Sequence, residues 1–224
     1  MSTSPRSYHH GNLKDALIVA AAELIDSNGT TEFSITDAAN RAGVSNAAPY
    51  RHYKDKQDLL EHVRELAFLG LYEALDKASR ENSERPGPAD QIIAIGLAYL
   101  AYARDKERFF SLMWEQAPPN TDQETKMSGF YVLADAVSTY LSKNLPEALP
   151  EYKKKGDQPE QEVLYEVSSL RIATQLWALA HGLATLEQHN LLARFDTAAK
   201  GADLLTRSSV ALLQAALREG SQAP

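Results

Sequence analysis

Residues 34–56 read SITDAANRAGVSNAAPYRHYKDK. Ser34 is a natural N-cap, and Asp37 three residues on approximates a capping box, so the spacing predicts a short helix over 35–42. Ile35, Ala38 and Ala39 face inward, and Gly43 closes the helix. Val44 then plugs a gap and Ser45 caps a second short helix. Pro49 falls in its first turn or just after, because only an early helical position tolerates the missing N–H. Lys54-Asp55-Lys56 ends it. Two short helices joined by Gly43-Val44-Ser45 fit a helix-turn-helix, and Ala38, Ala39 and Ala42 let them approach closely.

In that motif the second helix enters the major groove of DNA. Its side chains suit the task. Asn46 offers an amide that matches adenine, and the methyls of Ala47 and Ala48 can touch a thymine methyl. Arg51 fits either guanine or a phosphate. Tyr50, His52, Tyr53 and Lys56 offer donors where phosphates would lie. Lys56 also opens the following helix, whose free N–H groups favour an anion. The same pattern fits an ordinary helical hairpin with Tyr50 and Tyr53 in its core.

Working outward, helical periodicity dominates and no strand pattern is present, so the expected fold class is all-α. Leu13, Leu17, Ala20, Ala21, Leu24 and Ile25 recur at three and four, predicting a helix over 12–27 that Asn28-Gly29 ends. A long helix is expected over 56–83, followed by the linker Arg85-Pro86-Gly87-Pro88. Further helices are expected at about 88–104, 105–115, 121–143, 161–190 and 195–219. Leu145 to Pro159, with three prolines and Lys153-Lys154-Lys155-Gly156, reads as a loop. The expected organisation is a three-helix helix-turn-helix domain at 1–55, a connecting helix at 56–84, and a helical ligand-binding and dimerisation domain at 85–224.

The chain of 224 residues carries a net charge of −7, which looks unfavourable for a partner of DNA. The acidity is unevenly placed. Residues 1–56 hold six basic and six acidic residues, so all of the excess lies in residues 57–224. Phosphate binding needs local donors rather than a basic protein, and Arg51, Lys54 and Lys56 cluster within six residues. There is no cysteine, which excludes disulfides, thiol nucleophiles and thiolate metal sites. The polar N-terminus lacks a signal-peptide core, and the longest apolar stretch, Ile92 to Ala103, is too short to span a bilayer. A soluble, cytoplasmic protein is expected, with no membrane partner, no cofactor and no metal site. Catalysis is not expected either: no phosphate loop or nucleophile elbow occurs, and Glu61 and His62, adjacent in sequence, point to different sides of a helix.

Residues 8–60, from Tyr8-His9-His10-Gly11-Asn12-Leu13 through Gly43-Val44-Ser45 and Tyr50-Arg51-His52-Tyr53-Lys54-Asp55-Lys56 to Leu59-Leu60, resemble the TetR family of bacterial transcriptional regulators. Trp177 and His181-Gly182 resemble a subgroup of that family named for its C-terminal Trp and His-Gly. The resemblance implies a three-helix DNA-binding domain, a long connector helix and a helical domain that binds ligand and dimerises. It implies phosphate contacts from Tyr50, His52 and Lys56, base contacts from Asn46, Ala47 and Ala48, and DNA contacts from Ser34 and Thr36. Ser45 and Arg51 belong to the same expected surface. Pro49 departs from the family pattern, where a larger aliphatic residue is common, and puts the pitch of the recognition helix in question.

In the C-terminal half, Val163, Val167, Leu170, Thr174, Trp177, His181, Ala184 and Gln188 step by four and three. So do Ala198, Ala202, Leu205, Ser209, Leu212 and Ala216. Such stripes suit either an intrachain core or a four-helix bundle shared by two subunits. A homodimer through the helices at about 161–190 and 195–219 is favoured on mechanism. A two-fold pair of heads reads two half-sites about 34–36 Å apart on a double-stranded operator. Tyr99, Tyr102, Phe109, Met113, Trp114, Tyr131, Trp177 and His181 are the expected lining of a pocket for a small-molecule effector, with plain core as the alternative. The leading expectation is a ligand-responsive repressor of a palindromic operator. The alternative is a helical small-molecule sensor or carrier whose near-neutral DNA-binding head is vestigial.

Overall fold

The computed structural model describes residues 13–84, 87, 89–115, 123–144, 167–195, 198 and 200–221. Helices and turns make up the described residues, with no strand among them. In chain order the helices are α1 (Leu13–Asn28), α2 (Ile35–Arg41), α3 (Lys56–Asn82), α4 (Asp90–Asp105), α5 (Glu107–Trp114), α6 (Gln123–Asn144), α7 (Val167–Gln188), α8 (Leu192–Phe195) and α9 (Gly201–Ser221). The expected bounds hold to within a few residues for α1 to α6, but the helix expected from about 195 begins only at Gly201, and no α-helix follows Ser45. The four-residue α8 is an addition to the expected helices. The linker residues 85, 86 and 88, the loop at 145–159 and the start of the helix expected at 161 lie outside the described residues.

The chain forms two compact units. The first comprises residues 1–67 and 108–121, the second residues 68–107 and 122–224. α3 therefore contributes its first half to one unit and its second half to the other, and α5 belongs with the N-terminal helices.

The first unit is built on a tight apolar centre. α1 buries Leu17, Ala20, Ala21 and Ile25, one face at helical spacing. Phe33, Ile35 and Ala38 pack onto it, as do Leu59, Leu60 and Val63 from α3 and Leu112 from α5. Ala21, Ala38 and Ala39 are wholly buried, and their small side chains let backbones approach. A larger residue at any of them would overfill the core at a cost of roughly 1–3 kcal/mol.

Among these apolar groups sits Arg64, buried completely. Its Nε donates to the Leu112 carbonyl at 2.8 Å, and its guanidinium pairs with Glu61 one turn back on α3. Leu112 lies in the last turn of α5, where carbonyls lack partners within the helix. Arg64 supplies the missing donor at the negative end of that helix. Burial works against the charged guanidinium, and Glu115 favours it.

The second unit packs α4, α6, α7 and α9 against one another. α4 buries Ile92, Ile95, Tyr99, Leu100 and Ala103, and α7 buries Ile172, Ala173, Leu176, Ala180 and Ala184. α4 and α9 meet closely at Gly96, where an added Cβ would lie 2.8 Å from Leu205 Cδ2.

Candidate nucleic-acid interface

The start of α2 follows the expected capping chemistry. Ser34 has extended backbone (φ −94°, ψ 158°), and its side chain accepts the Asp37 N–H at 3.1 Å. The Asp37 carboxylate accepts the Ser34 N–H at 2.7 Å and the Ser34 hydroxyl at 2.7 Å. The Ser34 hydroxyl, then its backbone N–H, hold the Asp37 carboxyl below the usual carboxylate range. Thr36 Oγ1 stands 2.7 Å from Ser34 Oγ. Because the Ser34 proton goes to Asp37, Thr36 is the donor between the two hydroxyls. Both side chains expected at DNA are thus held in one small network.

α2 ends in a Schellman turn. Gly43 N–H donates to Asn40 O at 3.1 Å and Val44 N–H to Ala39 O at 3.0 Å. Gly43 lies at φ +72°, a left-handed conformation that suits glycine. Val44 is half-buried against the core of the unit. Arg41 is already paired: its Nε bonds Glu23 Oε2 at 2.8 Å, tying α2 to α1.

The segment after the turn differs from expectation. No α-helix begins at Ser45. Residues 46–48 form a turn, with Ala48 N–H donating to Ser45 O at 2.9 Å, and only Pro49–Arg51 is helical, with 3₁₀ pitch. Two causes are visible. Pro49 has no N–H to give to Ser45, so the i→i−4 ladder cannot pass through it. Pro49 is also buried, which holds the chain at that point against the core. The N–H groups of Arg51 and His52 bond carbonyls three residues back, at 3.3 and 2.9 Å.

This compact loop displays the expected contact residues on one stretch. Ser45, Asn46, Ala47, Tyr50, Arg51 and His52 are exposed, and Ala48 is half-buried. The Tyr50 ring is 57% exposed, too much for a core role. Tyr53 behaves differently from the phosphate donor expected of it. It is 1% exposed, its hydroxyl donates to Lys14 O at 3.0 Å, and its ring meets His62 edge-on at 5.3 Å. Burial, with the nearby carboxylates of Asp15 and Asp58, pushes its phenol far above the usual range. The hairpin alternative is therefore right for Tyr53 and wrong for Tyr50.

α3 begins beside this loop. Asp55 Oδ1 accepts the Asp58 N–H at 2.9 Å, and the Asp58 carboxylate accepts the Lys54 N–H at 3.0 Å. Lys56 is steered by its surroundings: its ammonium lies 5.1 Å from the Phe33 ring centroid and 4.0 Å from Glu32. Arg51 and Lys54 have no ion-pair partner within 4.0 Å among the described residues, so their charge is available to an external anion.

The residues expected to line a pocket fall into both units. Phe109, Met113 and Trp114 sit on α5 in the first, with Met113 buried, Phe109 half-buried and Trp114 44% exposed. Tyr99, Tyr102, Tyr131, Trp177 and His181 lie in the second. There Trp177 packs edge-on to Tyr99 at 4.9 Å, and the Tyr99 hydroxyl shares a 2.9 Å hydrogen bond with His181 Nδ1. Burial pushes the Tyr102 phenol up to about 12 and lowers the His181 imidazole below its ordinary value. The space among Tyr99, Trp177 and Gly96 is only about 10 Å³. Sequence reasoning missed Arg64, since an arginine flanked by Glu61 and Glu65 carries no sign of burial.

Two family descriptions match. "Bacterial regulatory proteins, tetR family" covers residues 17–63, and "Tetracyclin repressor-like, C-terminal domain" covers residues 92–219, a span that includes Trp177 and His181-Gly182. No curated protein matches the chain. Among solved structures, a protein of unknown function from Rhodococcus sp. RHA1 is similar, with 26% identity, 94% of this chain and 98% of that one covered, and a TM-score of 0.67. The TetR family transcriptional regulator PfmR from Thermus thermophilus shares 19% identity over 88% of this chain and 97% of its own, with a TM-score of 0.51. The fatty acid degradation regulator FadR from Bacillus halodurans shares 13% identity over 95% and 97%, with a TM-score of 0.50. With one family description over the helix-turn-helix and another over more than half of the chain, this protein belongs to the TetR family of DNA-binding transcriptional regulators.

Proposed function

We propose that the protein is a ligand-responsive repressor that binds a palindromic operator as a homodimer. The observation that carries the reading is the exposed row Asn46, Ala47, Tyr50, Arg51 and His52, presented by a turn whose flanks, Val44, Pro49 and Tyr53, are anchored in the core. Asn46 and the two alanines face bases; Tyr50, His52 and Lys56 face phosphates. Ser34, Thr36 and Ser45 flank them, and Arg51 adds a free cation.

Dimerisation is supported by small, outward-facing side chains on α7 and α9. Thr174 and Ala178 are exposed on one, and Ser208, Ala211 and Ala215 on the other. An added Cβ at Gly182 would meet nothing within 4 Å. Such surfaces allow close helix packing between copies. A ligand that prefers the DNA-incompetent state would shift the equilibrium by its difference in affinity for the two states. Within the second unit, Tyr99, Trp177 and His181 pack together as an aromatic cluster that such a ligand would have to open, while Tyr102 is half-buried and Tyr131 is 45% exposed. The reading gives the chain no catalytic task and places it in the cytoplasm, where its DNA lies.

Selection of bound fragments from genomic DNA, followed by anisotropy titration, tests the reading. Palindromic sites should emerge, and the double variant Tyr50→Ala, Lys56→Ala should lose binding while remaining a folded dimer. Enrichment of no site would overturn it in favour of a sensor with a vestigial head. Retained binding by the double variant would overturn the assigned contact row.

A further inference from the structure

The second unit contains a half-open cavity of about 470 Å³ where the C-terminal ends of α4 and α7 meet α8. Its size falls within the roughly 300–1,000 Å³ typical of small-molecule sites. The space in the aromatic core, about 10 Å³, holds a single water at most. The larger cavity therefore lies apart from the cluster of Tyr99 and Trp177.

The floor of the cavity is apolar: Leu100, Ala103 and Ala184, all buried. The rim is polar, and its groups sort by what is already spent. Arg104 donates from Nε to Asp105 Oδ1 at 2.8 Å, and a second donor reaches Oδ2 at 3.4 Å, so its first counter-charge is a carboxylate outside the lining. That pairing, with a smaller contribution from Glu187 on the same rim, raises the guanidinium above its ordinary range, and it lowers the Asp105 carboxyl. Gln188 Nε2 donates to the Ala103 carbonyl at 3.3 Å, which leaves its amide oxygen open. Glu187 Oε1 accepts the Gly201 N–H at 2.8 Å, leaving the second oxygen. The Glu107 carboxylate makes no hydrogen bond or ion pair among the described residues.

Above the apolar floor, Glu107 therefore carries charge with no partner among the described residues, and Glu187, although drawn on by Arg104, keeps one oxygen open. The wider field has the same sign, because the whole net charge of −7 resides in residues 57–224. We propose that this cavity binds a compact amphiphilic cation, a protonated amine carried on an aliphatic body. The ammonium donates to Glu107, Glu187 and the Gln188 oxygen, and the aliphatic body covers Leu100, Ala103 and Ala184. The site names a ligand class for the regulator; only its effect on DNA rests on the ligand-responsive reading.

Isothermal titration calorimetry of the full chain without DNA tests binding directly. The probes are 1-adamantylamine, 1-adamantanol and 1-adamantanecarboxylate, which share one body and differ in charge. The amine should bind tightest and the carboxylate weakest. Glu107→Gln should weaken the amine by about fivefold and leave the alcohol unchanged. Ala193→Trp, at an exposed lining position on α8, should weaken all three by filling the cavity. Far-ultraviolet circular dichroism checks that both variants are folded. Absence of amine binding overturns the proposal, as does a carboxylate that binds as well as the amine, or amine affinity indifferent to both substitutions. Anisotropy on operator DNA is read separately. Amine binding that leaves DNA affinity unchanged sustains the site and overturns its regulatory use alone, whereas failure to bind any DNA strikes the repressor reading and leaves the site standing.

Discussion

The Tyr53 hydroxyl donates to the Lys14 carbonyl at 3.0 Å, joining the end of the proposed DNA-contact loop to the first turn of α1 across 39 residues of sequence. The loop is thereby held at both sides of Pro49: by Val44 in the core before it, and by Tyr53 after it. A recognition segment of so little regular structure keeps its shape through such anchors.

Tyr53→Phe should keep the ring packing and remove this one bond. The expected loss is about 1 kcal/mol, typical of a hydrogen bond replaced by an unsatisfied acceptor. Urea titration followed by circular dichroism measures it. A loss near zero would mean that water takes over the Lys14 carbonyl.

Arg64→Met should be far more damaging. It strands the Glu61 carboxylate and the Leu112 carbonyl in the core of the first unit. Breaking a buried pair from one side costs about 3–5 kcal/mol. The double variant Glu61→Leu, Arg64→Met removes both charges and should recover much of the loss. A double variant as unstable as the single one would show that the carbonyl bond, not the ion pair, dominates.

Arg51 has no ion-pair partner among the described residues, and salt dependence can tell which DNA group it meets under the proposed reading. Arg51→Ala is expected to weaken operator binding and to reduce the slope of log affinity against log salt by about 1, the signature of one lost phosphate contact. An unchanged slope with relaxed base preference at one position would instead assign Arg51 to a base edge.

His181 should make stability fall on acidification. Its imidazole is lowered in the folded state by burial, so the unfolded chain binds the proton more readily. The contribution is intact above the unfolded value of about 6.5 and is lost as pH falls from there through the lower folded value. Urea midpoints at pH 7.5 and 5.5 should therefore differ more in wild type than in His181→Gln. Equal pH dependence in both proteins would locate the titrating group elsewhere.

Much of the head is legible from residue types alone. Ser34 and Asp37 announce the start of α2 because capping is local chemistry between residues three apart, and the structure holds that box. Gly43 announces its end for a similar reason: its left-handed backbone is a property of one residue. The helical faces of α1 and α4 follow from periodicity, which the chain carries along a single element. Pro49 stands out in the sequence as the residue that decides the pitch, yet local rules place a regular helix around it. They lack the fact that Pro49 is buried and tied to a turn of three-residue bonds.

By itself the sequence determined the all-α class, the helix-turn-helix and the family, because these rest on local propensity and on motif order. Tertiary structure alone decided which tyrosine is displayed and which is anchored, since Tyr50 and Tyr53 are three residues apart with the same chemistry and differ only in what surrounds them. It alone placed a fully buried arginine against a carbonyl 48 residues away, and grouped α5 with the N-terminal helices. It also separated the filled aromatic core from the open cavity beside α8. Burial and free volume are properties of packing between distant segments, and no single stretch of chain encodes them.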